Sequence, residues 1–294
     1  MSKQLLPTND YIFKRIFGKK GNEDITRNFI KAVTGYDFEN VIIEDTQILE
    51  KDVITDKLGI LDVKVSANSN SDVDIEMQVV RQDSIIERIL WYWSKLYSST
   101  IKSGQEYDLL KRTICILIAD FNIERLKEID SFYTRWNLRE SKYNSFLLTD
   151  KLDIVIIELS KMETNEAYKV EEKELIDWCR FLKSPEKMEE SIMEENKYIK
   201  AAKEELDKIN MDERERRLAE LRDKAIRDEK AIRKSGYREG LEKGLEKGLE
   251  KGSKEEKVNI ARKLLKEKVD EEIISRTTGL SESEIQNIQN EGKE

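Results

Sequence analysis

The chain has 294 residues, 38% of them hydrophobic and 39% charged, with 53 Lys and Arg against 61 Asp and Glu for a formal net charge of −8. That length accommodates one large domain or two smaller ones, and the acidic balance gives no general attraction for nucleic acid, so any such binding must use a local patch or a bound cation. Histidine is absent, which excludes imidazole acid–base catalysis, histidine triads and histidine-based zinc sites.

No apolar run reaches the roughly 18 residues of a membrane helix, and the first seven residues, MSKQLLP, lack the apolar stretch of a secretory signal. Cys115 and Cys179 stand far apart in apolar or amphipathic surroundings. They read as reduced thiols of a cytoplasmic protein with no disulfide framework. The chemistry left to the chain is that of carboxylates, amides, Lys, Arg, Tyr and hydroxyls, working with a hard, oxygen-loving metal.

The segment NDYIFKRIF at 9–17 places Tyr11, Ile12, Ile16 and Phe17 on one helical face, with Asn9 or Asp10 as the cap. A second short helix is expected from Glu23 to Val33, ended by Gly35. Strand-like segments follow at Val41–Leu49, Ile60–Ala67 and Val73–Val80. The last two flank a Ser/Asn/Asp turn at 68–72 and so read as an antiparallel hairpin. Ser84 and Glu87 have capping-box spacing for a helix running to about Lys102, whose face Ile85, Ile89, Trp93, Leu96 and Tyr97 points inward. TICILIA at 113–119 is apolar on both faces, as a buried central strand is. Asp153–Leu159 is a further strand and Glu174–Leu182 a helix. This order implies an α/β domain, a mixed sheet flanked by helices, over residues 1–184.

Pro185 marks a change of character. Residues 185–256 are a charged, helix-prone region whose charges suit a solvated face with i,i+4 pairs. It ends in GLEKGLEKGLEKG, with glycine at 236, 240, 244, 248 and 252. A four-residue period drifts about 40° per repeat around a helix, and each internal glycine costs roughly 1 kcal/mol against alanine. The segment is therefore either a contact seam for another helix or a linker. Residues 257–294 form a small helical tail. Asp270 caps EEIISRTTG, Gly279 closes it, and Ser281 with Glu284 opens the next helix as a capping box. The rhythm is that of a helix-turn-helix, although its second helix is acidic and better suited to protein contact or dimerisation than to phosphates.

The hairpin carries the chemistry. Strand alternation puts Asp62 and Lys64 on one side of LDVKV, and Asp74, Glu76 and Gln78 on one side of VDIEMQV. If the strands pair, five polar groups share a face. That face is either solvated or, under cover of the next helix, a cation site, because clustered buried carboxylates are costly without a cation. Mg²⁺ suits one or two carboxylates, a carbonyl and waters.

The ordered set DYIFKRIFG at 10–18, GILDVKV at 59–65, DIEMQV at 74–79, R-x-x-x-Y-W from Arg88, GQEY at 104–107 and IELSK at 157–161 resembles the Rpn family of recombination-promoting nucleases, within the PD-(D/E)xK superfamily. The resemblance implies a restriction-endonuclease-like core and a DNA endonuclease using Mg²⁺ (or Mn²⁺) in recombination or mobile-element processes. It assigns Asp62 and Glu76 to the metal, with the backbone carbonyl of Met77, and puts Gln78 where the superfamily usually has lysine. Glutamine supplies no charge and no base. Lys64, on the same face, is then either the replacement cation or an ordinary surface lysine. Lys14 and Arg88 are candidate phosphate contacts, Asp10 a helix cap or a ligand. DNA is the expected partner, with homo-oligomerisation through the C-terminal helical region. The competing reading is a catalytically weak or inactive nuclease fold that binds DNA or assembles.

Overall fold

The computed structural model describes residues 5–44, 63–68, 70–164 and 173–291. The chain forms two compact units, residues 1–229 and 230–294.

The first unit is built on a mixed six-stranded sheet of order β1-β2-β3-β4-β6-β5. Its strands are β1 (Val41–Ile43), β2 (Val63–Ala67), β3 (Ser71–Gln78), β4 (Arg112–Ala119), β5 (Tyr133–Trp136) and β6 (Leu152–Glu158). The pairs β1–β2, β2–β3 and β5–β6 are antiparallel, whereas β3–β4 and β4–β6 are parallel. The expected hairpin is present, its turn shorter than expected because β3 begins at Ser71, with Asn68 in the left-handed region at φ 49°. TICILIA is the central strand, flanked by parallel neighbours and buried from Thr113 to Ala119. The strand parts expected at 45–49 and 60–62 lie outside the described residues.

Strand alternation divides the unit into two cores. Val63, Val65, Val73, Ile75, Met77, Ile114, Ile116, Ile118, Val155 and Ile157 face one side. There they meet α1 (Asp10–Phe17), α2 (Glu23–Thr34), α4 (Lys173–Lys183) and α6 (Lys197–Met211). Trp178, Phe17, Phe29 and Phe181 form an aromatic cluster at ring separations of 4.9–5.8 Å. On the other side Cys115, Leu117, Ala119, Ile154 and Ile156 meet Ile85 and Ile89 of α3 (Ile85–Ser99). Trp93 reaches the start of β4, donating from Nε1 to the Thr113 carbonyl at 3.1 Å.

Local signals explain the helix ends. Asn9 is the cap of α1, its side chain accepting from Ile12 N, and Gly35 closes α2 in the left-handed conformation at φ 74°. The capping box expected at Ser84 does not form: Ser84 makes no side-chain cap bond, and Glu87 instead faces Arg125 at 3.5 Å. The short edge strand β5 carries no clear alternating signal.

The core of the first unit continues past Pro185. A short helix α5 (Glu190–Glu195) leads into α6, whose Ile199, Ala202, Leu206 and Ile209 are buried, and Leu218 and Ala219 of α7 (Glu213–Lys266) join the same core. The charged region is thus amphipathic, with a narrow apolar stripe at helical spacing.

In the second unit α7 continues through the glycine repeat as helix, with Leu241, Leu245 and Leu249 exposed. A methyl group at any of Gly236, Gly240, Gly244, Gly248 or Gly252 would meet no atom within 4 Å. The tail folds as anticipated. Asp270 accepts from Glu272 N to cap α8 (Glu271–Thr278), and Gly279 closes it at φ 70°. Ser281 and Glu284 form the reciprocal capping box of α9 (Glu282–Glu291). Ala261, Ile274, Leu280, Ile285 and Ile288 make this unit's own core.

Candidate active site

The polar face of the β2–β3 hairpin is graded from its turn to its open end. Near the turn, Ser66 is opposite Asp72, and Asp72 pairs with Lys111 at 3.2 Å, so this end is neutralised within the fold. In the middle, Lys64 stands directly across from Asp74. At the open end are Glu76 and Gln78, the Gln78 amide 3.5 Å from a Glu76 carboxylate oxygen.

Register places the row on the α3 side of the sheet. Asp74, Glu76 and Gln78 pair in parallel with Cys115, Leu117 and Ala119, which belong to the α3-side core. Asp74 and Glu76 are each only 2% exposed. The hairpin face is therefore a covered wall, as the amphipathic α3 and the doubly apolar β4 suggested. Two carboxylates thus stand at successive inward positions of one strand, with an amide beside Glu76. Among the described residues no group of three or more acidic, His or Cys side chains could hold a metal ion. The set inferred from sequence is complete only with Asp62, which lies outside the described residues and immediately precedes Val63, the first residue of β2.

The other candidates fall in different places. Lys64 is half-buried on the hairpin face and makes no side-chain ion pair among the described residues. The Met77 side chain points to the opposite core, leaving only its backbone on offer to the site. Lys14 is a buried residue of α1. The helix end beside it packs on β2: a methyl group at Gly18 would lie 2.8 Å from the Lys14 carbonyl oxygen and 3.3 Å from Val63 Cγ2, so only glycine fits. Lys14 thus borders the open end of the hairpin from inside the fold. Arg88 donates to the Tyr92 hydroxyl at 3.0 Å and lies over that ring, which accounts for the four-residue spacing of the R-x-x-x-Y motif.

Asp10 is neither the cap of α1 nor open to solvent: Arg222 of α7 engages it through Nε at 2.9 and 2.7 Å and through Nη2 at 2.5 Å. Sequence reasoning missed Arg222. The available signal was an arginine set among Leu218, Ala219 and Ile226, all buried at helical spacing. The IELSK motif is structural: Glu158 accepts from Ile123 N at 2.7 Å and from Lys161 at 2.5 Å, and Lys161 also donates to the carbonyls of Leu126 and Ile129. Those bonds fasten the segment after β4 onto β6.

Among the described residues no helix is long and apolar enough to cross a membrane. No curated protein and no solved structure matches the chain. Residues 254–290 match the C-terminal HTH domain of the Rpn/YhgA-like nuclease family. Residues 7–236, most of the chain and all six described strands, match the PD-(D/E)XK nuclease family transposases. With a mixed six-stranded sheet between helices and a long helical C-terminal region, the chain belongs to the Rpn group of PD-(D/E)XK nuclease family transposases.

Proposed function

We propose that the protein is a cytoplasmic, divalent-metal-dependent DNA endonuclease whose active site is the open end of the β2–β3 hairpin, acting in recombination or mobile-element processes. The observation that carries this reading is the pair of buried carboxylates, Asp74 and Glu76, on one covered face beside Gln78. Burial of like charges is unfavourable in isolation and is repaid when a cation binds. Cys115 and Cys179 are buried and not in a disulfide, which suits a reducing compartment.

In this reading Asp62, Glu76 and the Met77 carbonyl hold Mg²⁺ or Mn²⁺. The bound cation would lower the pKa of water and offset charge on the scissile phosphate. Gln78 donates and accepts through its amide, orienting a water or a phosphate oxygen beside Glu76 without taking the proton. Lys64, aligned with Asp74 on the same face, contributes the positive charge that Gln78 lacks. Lys14 of α1 and Arg88 of α3 would supply phosphate contacts. The acidic net charge makes DNA attraction local and strongly salt-dependent. The exposed leucines of the glycine repeat support self-association through the C-terminal helical region, which light scattering on the full chain tests.

Plasmid nicking with Mg²⁺ or Mn²⁺ tests the activity. Wild type should nick supercoiled DNA, and Asp62→Ala and Glu76→Ala should abolish nicking. Cleavage that survives both substitutions refutes the site. Absence of cleavage by wild type with any divalent metal favours the competing reading, in which the acidic charge and Gln78 mark a nuclease fold that binds DNA or assembles without cutting it.

A further inference from the structure

The first turn of α1 and α7 are joined across 212 positions of sequence. Arg222 and Asp10 are 5% and 6% exposed, and the guanidinium engages both carboxylate oxygens. Around this pair, Asn9 donates to the Ala219 carbonyl at 3.1 Å and to Asp223 at 2.8 Å, while Tyr11 and Arg15 both bond Glu215 at 2.8 Å. Asp10 and Arg222 line a small cleft of about 10 Å³, together with Met77, Gln78 and Ile226. That volume is about what one water requires. The same small space is thus walled by the strand end that carries the candidate site and by the buried ion pair.

A buried ion pair contributes little net stability compared with apolar residues of the same volume. Leu218, Ala219 and Ile226 show that this stripe of α7 otherwise accepts apolar side chains. Arg222 donates in a fixed planar fork, which holds a carboxylate in one orientation as lysine does not. With both oxygens engaged by Arg222, Asp10 forms a wall of the cleft in one fixed orientation.

We propose that Arg222 is a positioning residue of the active site: by fixing the Asp10 carboxylate it sets the cleft wall beside Gln78 against which a water is placed. This rests on the nuclease reading above. It extends the catalytic unit into α7, the fourth α-helix after β6 among the described residues.

The test compares full-length wild type, Arg222→Lys, Arg222→Ala and the exchange Asp10→Arg/Arg222→Asp. The measurements are nicking kinetics with Mn²⁺, Mn²⁺ affinity by electron paramagnetic resonance, and water-proton relaxation by the bound Mn²⁺. For Arg222→Lys, kcat should fall about 10- to 100-fold, the scale of a small misplacement of reacting groups, with KM for DNA and Mn²⁺ affinity each within about two-fold of wild type. Guanidinium ion should restore part of the Arg222→Ala rate, and the exchanged pair should recover part of the loss. A wild-type kcat in Arg222→Lys overturns the proposal. So does a loss explained wholly by weaker Mn²⁺ binding, since Asp10 would then act as a ligand. If wild type binds Mn²⁺ but does not cleave, the nuclease reading fails, and proton relaxation decides the role of Arg222: a changed value in Arg222→Lys supports positioning, and an unchanged one overturns it. A wild type that neither cleaves nor binds Mn²⁺ overturns both.

Discussion

Replacing Glu76 by glutamine separates the cost of the site from its use. Glu76 and Asp74 are two positions apart on one side of β3, both buried. The rise of a strand puts their carboxylates about 7 Å apart. Two like charges at that distance repel by about 2 kcal/mol at an effective dielectric constant of 20. Glutamine keeps the shape and an accepting oxygen for the contact with Gln78, and it removes the charge. In EDTA the variant should therefore melt above wild type by up to about 4–8 °C, given the usual conversion for a unit of this size, with Lys64 across from Asp74 offsetting part of the repulsion. Saturating Mg²⁺ should reverse the order. At a concentration one hundred times its Kd, a ligand stabilises by about 2.7 kcal/mol, a gain open to wild type and denied to Glu76→Gln. Thermal unfolding followed by tryptophan fluorescence, with and without Mg²⁺, reads both effects. A variant less stable than wild type in EDTA, or an equal rise with Mg²⁺ in both proteins, would refute the reasoning.

Trp178→Ala removes the centre of the aromatic cluster between α1, α2 and α4 and should cost about 3–5 kcal/mol, measured by urea denaturation. Two glycine substitutions should act in opposite directions. Gly35→Ala puts a side chain at φ 74° and should destabilise by about 1–2 kcal/mol, while Gly244→Ala, in an open stretch of helix, should raise helicity by about 1 kcal/mol in circular-dichroism melts. Burial opposes ionisation of Glu205, but hydrogen bonds from Lys19 and Lys208 outweigh it and hold its pKa below the ordinary 4.5. Its contribution is thus complete above pH 4.5 and is lost as pH falls through the lower folded value. Glu205→Gln should flatten the stability profile below pH 4.5 and leave little pH dependence of its own, as urea titrations at pH 3 and 7 will show.

The sheet was legible because its signals are local. TICILIA has no polar residue after Thr113 and became the central strand, and the alternation of VKV and DIEMQ set which side chains share a wall. The helix caps at Asn9, Gly35, Asp270 and Ser281 were legible for the same reason, each resting on groups within a few residues. What escaped depends on distant partners. Ser84 and Glu87 have capping spacing, yet Glu87 is drawn to Arg125, 38 positions on. Asp10 reads as a cap until α7 arrives with Arg222. The segment after Pro185 reads as solvated because charge dominates its composition, while five or six apolar residues at helical spacing suffice to bury one side of it. The candidate site was legible as a shared face. Its cover by α3, and the cleft beside Gln78, are tertiary facts that no local pattern carries.

The contacts of α1 also fix an order of events. Leu5, Asn9, Asp10, Tyr11 and Arg15, near the beginning of the chain, are satisfied by Asn210, Ala219, Arg222, Asp223 and Glu215, near the end of the same unit. On the ribosome these early residues must wait while some 200 further residues are made. Such long-range closure is slow and leaves apolar surface exposed meanwhile. A nascent chain ending before α7 can pair its strands but leaves Asp10 without its cation, so the last elements of the unit to be translated are the ones that seal the first.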